Sequence, residues 1–237
     1  MNISVIIPTL NEAEHIGKLL THLLDNAVTN SISEVIVVDC GSTDNTQQIV
    51  LNKSDKEQSK EKIQLLQSGR GRAKQMNLGA TKAKCDILYF LHADTFPPNG
   101  FDQEILNEVI KGNHAGCFRM KFDSNHWWLK LAGWLTKFNN KACRGGDQSL
   151  FVTKDLFEKL NGFNEKFTVY EDQEFINKLY KIKEFIVIPK WIITSSRRYE
   201  SNGIWRLQYH FWMIYFKKFF GVSAENLYAY YLRNIKD

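Results

Sequence analysis

The stretch from residue 3 to residue 24, "ISVIIPTLNEAEHIGKLLTHLL", decides the fold because its apolar period changes halfway along. The apolar run from Ile3 to Ile7 is typical of a buried parallel strand. From Glu12 to Leu24 the apolar residues recur at helical spacing instead. Asn11, with Glu14 three residues later, predicts a capped start for that helix. A strand, a polar loop and a helix in this order are the repeating unit of an α/β protein.

The same alternation repeats along the first half of the chain. Strand-like and helix-like segments follow each other at Val35 to Val38, about Thr43 to Val50, Ile63 to Leu66, Arg72 to Lys82 and Ile87 to Leu91. Repetition of this kind predicts an α/β protein with a mainly parallel central sheet flanked by helices. Ligands of such sheets bind at the carboxyl ends of the strands, so we expect a site in the loops that follow them.

Length and composition limit the class of protein. The chain has 237 residues, of which 43% are apolar, so it can bury the core of one large domain. We predict a main domain over residues 1–200 and an aromatic-rich helical extension over 201–237, which either joins the same domain or faces a membrane or partner. The net charge is +5, and basic residues are interleaved with acidic ones, which does not indicate a nucleic-acid partner.

The cysteines and the first residues indicate the compartment. The four cysteines stand far apart without a CxxC pair, which is typical of reduced thiols in the cytoplasm. The apolar start lacks the basic residues and the cleavage site of a signal peptide, so we interpret it as a strand. We therefore expect a cytoplasmic protein, either free or peripheral at the cytoplasmic face of a membrane.

Polar motifs follow three of the predicted strands. "PTLNE" (8–12) follows the first strand, "DCGSTDNT" (39–46) the second and "HAD" (92–94) the fourth. A turn or a helix cap explains each motif taken alone. Three such motifs at one edge of a sheet favour a binding site.

A further polar segment, "SGRGRAKQ" (68–75), has two glycines ahead of a predicted helix. A dinucleotide site would need a third glycine at position 74, which is Lys74, and would need to follow the first strand. The segment is therefore not a Rossmann cofactor site. Arg70 and Arg72 either meet an anion at the helix start or form a solvated basic turn.

The second half carries three more polar motifs. "CRGGDQSLFV" (143–152) precedes an apolar strand, "VYEDQEF" (169–175) opens a helix and "TSSRRYESNG" (194–203) contains two adjacent arginines. Acids at a helix start complement the helix dipole, so Glu171 and Asp172 also have a purely structural explanation. Arginine suits phosphate oxygens because its guanidinium fork matches them, but a solvated charge explains one of the two as well.

Taken in this order, the motifs resemble the family 2 glycosyltransferases of the GT-A fold. The likeness is strongest in "GRGRAKQMNLGATKAKCDILYFLHADT" (69–95) and points to the subgroup called selenodomain-associated transferases. The resemblance implies a hexosyltransferase-like glycosyltransferase that moves a sugar from a nucleotide-diphosphate sugar, such as a UDP- or GDP-sugar, to an acceptor. It also implies inverting transfer and a divalent metal cofactor, Mn2+ or Mg2+.

The resemblance assigns most of the site to the donor. Asp94, the last acid of the family's D-x-D motif, is implied as the metal-binding residue, and Arg197 and Arg198 are expected at the diphosphate. The first acid of that motif is His92 here, a departure that leaves three roles open: a bond to the ribose, ligation of a metal such as Mn2+, or a satisfied histidine at the strand end. The implied nucleotide-sugar positions are Pro8, Thr9, Leu10, Asn11, Glu12, Asp39, Ser42, Asp44, Arg70, Arg72, His92 and Ala93.

The resemblance puts catalysis and the acceptor in the second half of the chain. Asp172 would act as the general base that takes a proton from the acceptor hydroxyl, and Glu171 would position it. Gly146, Asp147 and Gln148 would line the acceptor side of the cleft.

Two aromatic-rich segments, residues 126–138 and 204–222, hold five of the six tryptophans and several lysines. The charge-free run from Leu207 to Phe216 is too short to span a bilayer. Aromatic residues beside basic ones are typical of a helix that lies on anionic lipid, but a helix packed on the sheet or a dimer interface explains them as well. With a membrane surface, the acceptor would be lipid-linked or hydrophobic.

Two other functions stay open on the sequence. A nucleotidyltransferase shares a nucleotide-binding α/β core, but it normally has an early phosphate loop with glycines and a lysine, which this chain lacks. A membrane-associated protein that binds nucleotide sugars without turnover would result if His92 disables the site. Donor binding together with turnover separates these functions from a glycosyltransferase.

Overall fold

A computed structural model of the protein describes residues 1–55, 62–145 and 148–235. Eight strands form one sheet. They are β1 (Ile3–Thr9), β2 (Ile32–Asp39), β3 (Ile63–Gln67), β4 (Ile87–Phe90), β5 (Thr95–Phe96), β6 (Ala115–Phe122), β7 (Leu150–Thr153) and β8 (Ile186–Thr194). The strand order across the sheet is β3-β2-β1-β4-β7-β6-β8-β5.

Ten α-helices and one short 3-10 turn, Lys141–Cys143, surround the sheet in the described ranges. The helices are α1 (Ile16–Asn26), α2 (Thr46–Ser54), α3 (Arg72–Lys82), α4 (Phe101–Ile110), α5 (Trp127–Leu135), α6 (Lys154–Lys159), α7 (Glu171–Lys181), α8 (Arg197–Asn202), α9 (Ile204–Phe219) and α10 (Ala224–Asn234).

The strand pairing confirms the predicted α/β class with a mainly parallel sheet. β1 is parallel to β2 and β4, β2 is parallel to β3, and β6 is parallel to β8. β7 is antiparallel to β4 and β6, and β5 is antiparallel to β8 at the sheet edge. The antiparallel pairs all involve strands after β4, so the repeating unit read in the first half ends there.

Alternating side chains of β1 build two apolar cores, one on each face of the sheet. Val5 and Ile7 join a core that contains Leu19 of α1, whereas Ile6 points to a second core that contains Met76 of α3. Side chains of a strand alternate between the two faces, so a strand covered by helices on both sides must be apolar throughout. This is why the sequence of β1 shows a run of apolar residues and no alternation.

The predicted start of the helix after β1 is wrong. The helix after β1 begins at Ile16, and no side chain caps it, so the predicted cap of Asn11 with Glu14 does not form. Asn11 instead has a positive φ of 56°, and its side-chain oxygen accepts a hydrogen bond from the backbone N–H of Thr43 at 2.9 Å. The loop after β1 is therefore held by the loop after β2 and does not continue into the helix.

The two C-terminal helices pack against the sheet core on one face only. Leu207 and Ile214 of α9 and Leu227 of α10 are buried in the same apolar core as Val5. The opposite face of α9 exposes large aromatic side chains, Phe219 being 84% exposed. Within the described ranges, no helix combines the length and apolar character needed to cross a membrane.

Candidate active site

Three of the predicted motifs meet at one edge of the sheet. Thr9 lies opposite Asp39 in the register of β1 and β2, and β4 pairs with β1 on its other side. These three strands run parallel, so their carboxyl ends point the same way. The segments 8–12, 39–46 and 92–94 therefore lie side by side, as the sequence predicted.

Asp39 is the fully buried anchor of this edge. Its carboxylate accepts hydrogen bonds from two backbone N–H groups and three side chains. The donors are Gly41 N at 3.0 Å, Ser42 N at 2.9 Å, Gln47 Nε2 at 2.7 Å, Thr9 Oγ1 at 3.2 Å and the hydroxyl of Ser42. Burial by itself raises the pKa of Asp39, but these bonds, led by those from Ser42, hold it below its usual value. Asp39 is thus an ionised group that fixes its own loop, and its contact with a nucleotide stays a prediction.

The loops after β1 and β2 are joined by backbone-to-side-chain hydrogen bonds. The donors and acceptors are Asn11 N to Ser42 Oγ at 2.8 Å, Glu12 N to Thr46 Oγ1 at 2.8 Å and Ala13 N to Asp44 Oδ2 at 3.1 Å. These three bonds run from N–H groups of the first loop to oxygen atoms that follow β2, and the bond from Thr43 N to Asn11 Oδ1 runs the other way. The predicted donor residues of the two loops therefore form one preorganised unit.

The other residues predicted to bind the nucleotide-sugar donor differ in exposure. Ala93 is buried in the core, and Pro8 is buried within β1, so only their backbone can face a ligand. Leu10 and Arg70 are exposed, while His92 is half-buried at the end of β4. Arg70 lies near Cys40, where burial raises the pKa of the thiol and the positive charge of Arg70 opposes that rise. The contact of these residues with the sugar donor stays a prediction.

Arg197 joins two acids that belong to different loops. Its Nε lies 3.7 Å from Asp94 Oδ2, its Nη2 forms an ion pair with Glu12 Oε1, and its Nη1 is 3.3 Å from His15 Nδ1. Burial raises the pKa of Glu12, and the nearby Asp94 raises it further, against the opposing effect of Arg197. The structure thus brings the predicted metal residue, Asp94, together with the predicted diphosphate residue, Arg197.

A short pair of strands sets this arrangement. Thr95 of β5 lies opposite Thr194 of β8, and their hydroxyl oxygens are 2.8 Å apart. The backbone N–H of Ser195 donates to the carbonyl of Asp94 at 3.2 Å. The segment after β8 therefore runs beside Asp94, and this brings Arg197 to it.

Arg72 is held by the two acids that open α7. Its Nε is 3.4 Å from Glu171 Oε1 and its Nη1 is 3.5 Å from Asp172 Oδ2. Sequence reasoning assigned Arg72 to the nucleotide and missed this contact. A helix dipole favours acids and disfavours a cation at the helix start. Glu171 and Asp172 therefore suit the start of α7, and their negative charges offset the unfavourable position of Arg72 at the start of α3.

Glu171 and Asp172 differ in burial although they are neighbours. The side chain of Glu171 is 2% exposed and that of Asp172 is 16% exposed. Burial raises the pKa of Glu171, and the charges of Arg72 and Arg198 offset this only in part. Asp172 is therefore the more accessible acid of the pair.

The two adjacent arginines after β8 point to different neighbours. Whereas Arg197 contacts Asp94, Arg198 donates a hydrogen bond to the hydroxyl of Tyr231. Its guanidinium carbon also lies 5.7 Å from the ring centre of Tyr231 and 5.9 Å from that of Phe211. Arg198 is thus oriented toward α9 and α10, and its role at a diphosphate stays a prediction.

Asp172 is one of the residues that line a cavity of about 830 Å3. Side chains of α5, α7, α9 and α10 line it, together with Arg72 and Arg198. Gln148, predicted on the acceptor side, also lines the cavity, but its side-chain oxygen accepts from Arg144 Nη1 at 3.0 Å and its Nε2 donates to the carbonyl of Cys143 at 3.1 Å. Gly146 and Asp147 lie outside the described residues. The cavity itself was not foreseen, because residues far apart in sequence form it.

The acids at Arg197 fit a divalent metal whose other ligands come from a substrate. Asp94 and Glu12 both contact Arg197, so their hard carboxylate oxygens already face one cation. Glu12 Oε2 is buried without a hydrogen bond from any described residue. Mg2+ and Mn2+ take such oxygen ligands. No three His, Cys, Asp or Glu side chains of the described ranges lie together as a complete metal site.

Sequence comparison establishes the family. Residues 4–168 match the family described as Glycosyl transferase family 2, so this chain belongs to that family and is a glycosyltransferase. It is 26% identical over 235 residues to an uncharacterized glycosyltransferase of Haemophilus influenzae, covering 91% of this chain and 88% of the relative. It is 24% identical over 230 residues to the probable glycosyltransferase YdaM of Bacillus subtilis, covering 89% of this chain and 54% of that protein.

Structural comparison confirms the predicted GT-A fold. The mannosyltransferase PcManGT from Pyrobaculum calidifontis, solved with GDP-Man and Mn2+, has a TM-score of 0.68 at 21% identity, covering 98% of this chain and 69% of that one. TarS 1-349 of S. aureus, solved with UDP-GlcNAc, has a TM-score of 0.63 at 21% identity, covering 83% of this chain and 59% of that one. At this identity the likeness shows the fold alone.

Proposed function

We propose that the protein is an inverting hexosyltransferase that moves a sugar from a UDP- or GDP-sugar to a hydroxyl group of an acceptor. The observation that carries the proposal is the position of Asp172, which lines the cavity and lies 3.5 Å from Arg72. The arginine can hold this carboxylate in place, and the cavity leaves room for an acceptor beside it. On its sequence motifs we also assign the chain to the selenodomain-associated subgroup.

In the proposed reaction, an oxygen of the acceptor forms a bond to the anomeric carbon of the donor sugar. The bond between that carbon and the diphosphate breaks, and the nucleoside diphosphate leaves with its electron pair. Asp172 takes the proton of the acceptor hydroxyl as the new bond forms. Because the acceptor attacks opposite to the leaving diphosphate, the configuration at the anomeric carbon inverts.

Glu171 and Arg72 position the base in this proposal. Arg72 touches both acids, so it restricts the orientation of Asp172 and stabilises its charge. Glu171 is almost fully buried, and burial favours its neutral form. The direct contact of Arg72 with Asp172, at 3.5 Å, is the one that orients the base.

The donor side of the proposal rests on the joined loops after β1 and β2. Their hydrogen bonds fix the backbone around Thr9, Asn11 and Ser42 before any ligand arrives, and such preorganisation reduces the entropy that binding costs. TarS and PcManGT were solved with UDP-GlcNAc and GDP-Man. These ligands support a nucleotide-diphosphate sugar as the donor here, with Arg197 and Arg198 as candidates for its diphosphate.

A divalent metal, Mn2+ or Mg2+, belongs to the proposal, and Asp94 would hold it. When bound, the metal would supply positive charge to the diphosphate oxygens. Arg197 lies 3.7 Å from the same carboxylate, so Asp94 has a cationic partner before a metal arrives. His92 is half-buried beside it and keeps the three roles considered from the sequence.

A thermal-shift panel tests the proposed donor. UDP- and GDP-sugars with Mn2+ are expected to raise the Tm, because a ligand that binds only the folded state stabilises it. The matching free hexoses serve as the control and should leave the Tm unchanged. Sugar donors that bind should also release nucleoside diphosphate slowly. A panel in which no donor raises the Tm refutes the proposal, while binding without any release favours a nucleotide-sugar-binding protein.

We also propose that the enzyme works at the cytoplasmic face of a membrane. Trp205, Trp212 and Phe219 are exposed on α9 beside Lys217 and Lys218, and this combination of aromatic and basic residues supports binding to anionic lipid. Sedimentation with phosphatidylglycerol vesicles measures it. Lys217→Ala should reduce the bound fraction, because each basic residue near the surface contributes about 1 kcal/mol. Lys111→Ala, on exposed Lys111 of another helix end, is the control, and equal effects of both changes would refute a specific face.

A further inference from the structure

The wall of the cavity beside Asp172 is largely apolar. Trp128 of α5 and Phe211, Trp212 and Ile214 of α9 contribute much of it. A volume of about 830 Å3 is within the range of cavities that hold small organic ligands. The substrate portion that enters this cavity therefore exchanges water for aromatic and aliphatic surface.

Polar side chains of the same wall are already engaged by the protein. Gln208 Oε1 accepts from Trp128 Nε1 at 3.1 Å and from the hydroxyl of Tyr199 at 3.4 Å. Gln173 Nε2 donates to the backbone carbonyl of Arg144. A buried sugar ring would need a partner for each of its hydroxyl groups, since an unpaired buried polar group costs free energy. This wall consequently favours an apolar ligand over a saccharide.

The cavity wall also carries charged side chains, among them the predicted base. Asp172 lines the cavity together with Arg72 and Arg198, and Lys141, Arg144 and Lys218 contribute to the same wall. A ligand that fills the cavity can thus place one polar group at Asp172 while its apolar portion contacts α9. In the proposed reaction Asp172 accepts a proton, so we assign this polar group as a hydroxyl.

Part of the cavity wall reaches the protein surface through aromatic residues. Trp212 and Phe219 line the cavity and are 51% and 84% exposed. Trp128 lies in ring contact with both Trp212 and Trp205, at centre distances of 5.8 Å and 5.3 Å. The apolar wall is therefore continuous with the exposed aromatic face of α9, so a long apolar chain can extend out of the cavity.

We propose that the acceptor is an amphiphilic alcohol with a hydrocarbon tail, which lies in the cavity with its hydroxyl at Asp172. The inference rests on the proposed function, because it names the acceptor of that same site. The step is the one described above: the hydroxyl oxygen bonds to the anomeric carbon, the bond from that carbon to the diphosphate breaks, and Asp172 receives the proton. The exposed end of the tail would lie at the aromatic face.

Binding of primary alcohols tests the apolar part of the proposal. 1-Butanol, 1-hexanol, 1-octanol and 1-decanol offer the same hydroxyl group with different tails, and calorimetry below their solubility limits gives each Kd. Transfer of each methylene from water to an apolar site predicts that Kd falls on the order of two- to fourfold per methylene. A Kd that does not change with tail length, or is lowest for 1-butanol, overturns the proposal.

A pair of tryptophan variants locates the binding. Trp212 lines the cavity, whereas Trp134 of α5 does not, and the two are similarly exposed at 51% and 47%. Trp212→Ala should weaken 1-octanol binding at least fivefold, and Trp134→Ala should leave it unchanged. Equal loss in both variants would overturn the assignment to the cavity. The donor-induced Tm shift of both variants, measured in parallel, reports the proposed function separately, because neither tryptophan belongs to the donor loops.

Discussion

Two pairs of acids in this protein are each held by one arginine, and they differ in how the chain builds them. Glu12 and Asp94 come from two loops, and Arg197 from a third segment joins them. Glu171 and Asp172 are neighbours in the first turn of α7, and Arg72 from the first turn of α3 joins them. The two acids of the first assembly lie on loops and only Arg197 opens a helix, α8, whereas the second assembly lies between the starts of two helices.

The difference teaches which assembly is suited to open. Loops are the segments that most readily change conformation when a ligand binds, so the contacts of Arg197 can rearrange to admit a diphosphate. Helix starts packed on a sheet are more rigid, which suits a base that must keep its orientation. We therefore expect changes at Glu12 and Asp94 to affect donor binding and changes at Glu171 and Asp172 to affect turnover.

The largest effect is expected from Asp172→Asn. The amide cannot accept the acceptor's proton, so kcat should fall about 100- to 10,000-fold, the usual contribution of a general base. Donor affinity, measured by thermal shift, should stay within about twofold if the two assemblies act independently. Unchanged turnover would remove Asp172 as the base and with it the distinction between the two acid pairs.

Asp94→Asn should show the opposite pattern. Loss of one charged contact costs about 1.5–3 kcal/mol, so donor affinity in the presence of Mn2+ should fall roughly 10- to 100-fold. The affinity should then no longer respond to added Mn2+. Asp86→Asn, a change of an exposed acid just before the same strand, is the matched control. If Mn2+ strengthens donor binding equally in all three proteins, Asp94 does not hold the metal.

Arg72→Met sharpens the comparison through pH dependence. Removal of a cation beside a carboxyl raises its pKa, so the base is ionised only at higher pH. The acidic limb of the kcat/KM profile should therefore move to higher pH. Lys74→Met, on the exposed side of the same helix, should leave the limb in place. A downward shift, or an equal shift in both variants, would contradict the proposed pairing of Arg72 with the base.

The smallest effect is expected from Glu171→Gln, and it concerns stability. Burial raises the pKa of Glu171 above its unfolded value, so folding favours the protonated form. Its stabilising effect is complete at pH values below the unfolded pKa and is lost as pH rises through the folded pKa. Glutamine resembles the protonated form, so the variant should have a Tm higher than the parent by about 2–4 °C at pH 8, which corresponds to ~1 kcal/mol.

The same difference in Tm should vanish below the unfolded pKa, where the parent is protonated as well. Glu174→Gln provides the control and should gain nothing at pH 8. Glu174 lies in the same helix, two residues after Asp172, and is paired with Lys178. A Tm that falls for Glu171→Gln at pH 8 would mean that the ion pair with Arg72 outweighs burial. The buried acid would then have to be counted as ionised.

The sequence predicts the first half of the fold well because its signals are local. The predicted helix from Arg72 to Lys82 has those bounds in the structure, since its apolar spacing and its flanking strands are read from adjacent residues. The helix after β1 is mispredicted at its start because Asn11 bonds to Thr43, a residue 32 positions away. Local capping signals contain no information about such a partner.

The candidate site divides in the same way. The strand-end motifs are visible in sequence because parallel strands bring their carboxyl ends together. The contact of Arg72 with Asp172 spans 100 positions, and the cavity is lined by side chains of six helices, α3, α5, α7, α8, α9 and α10. Charge alone suggested an anionic ligand for Arg72, and only the packing of α3 beside α7 reveals that the protein supplies the anion.

The two-residue strand β5 makes the position of Asp94 sensitive to chain length. Asp94 and Arg197 are both within a few residues of the pair formed by Thr95 and Thr194. A substitution of Thr95 or Thr194 alters the one contact between their hydroxyl groups. One residue inserted between Asp94 and Thr95 would instead shift the carboxylate away from Arg197 and leave the sheet intact. Surface loops usually tolerate insertions. At this junction we expect the protein to tolerate substitutions of Thr95 or Thr194 far more readily than insertions or deletions.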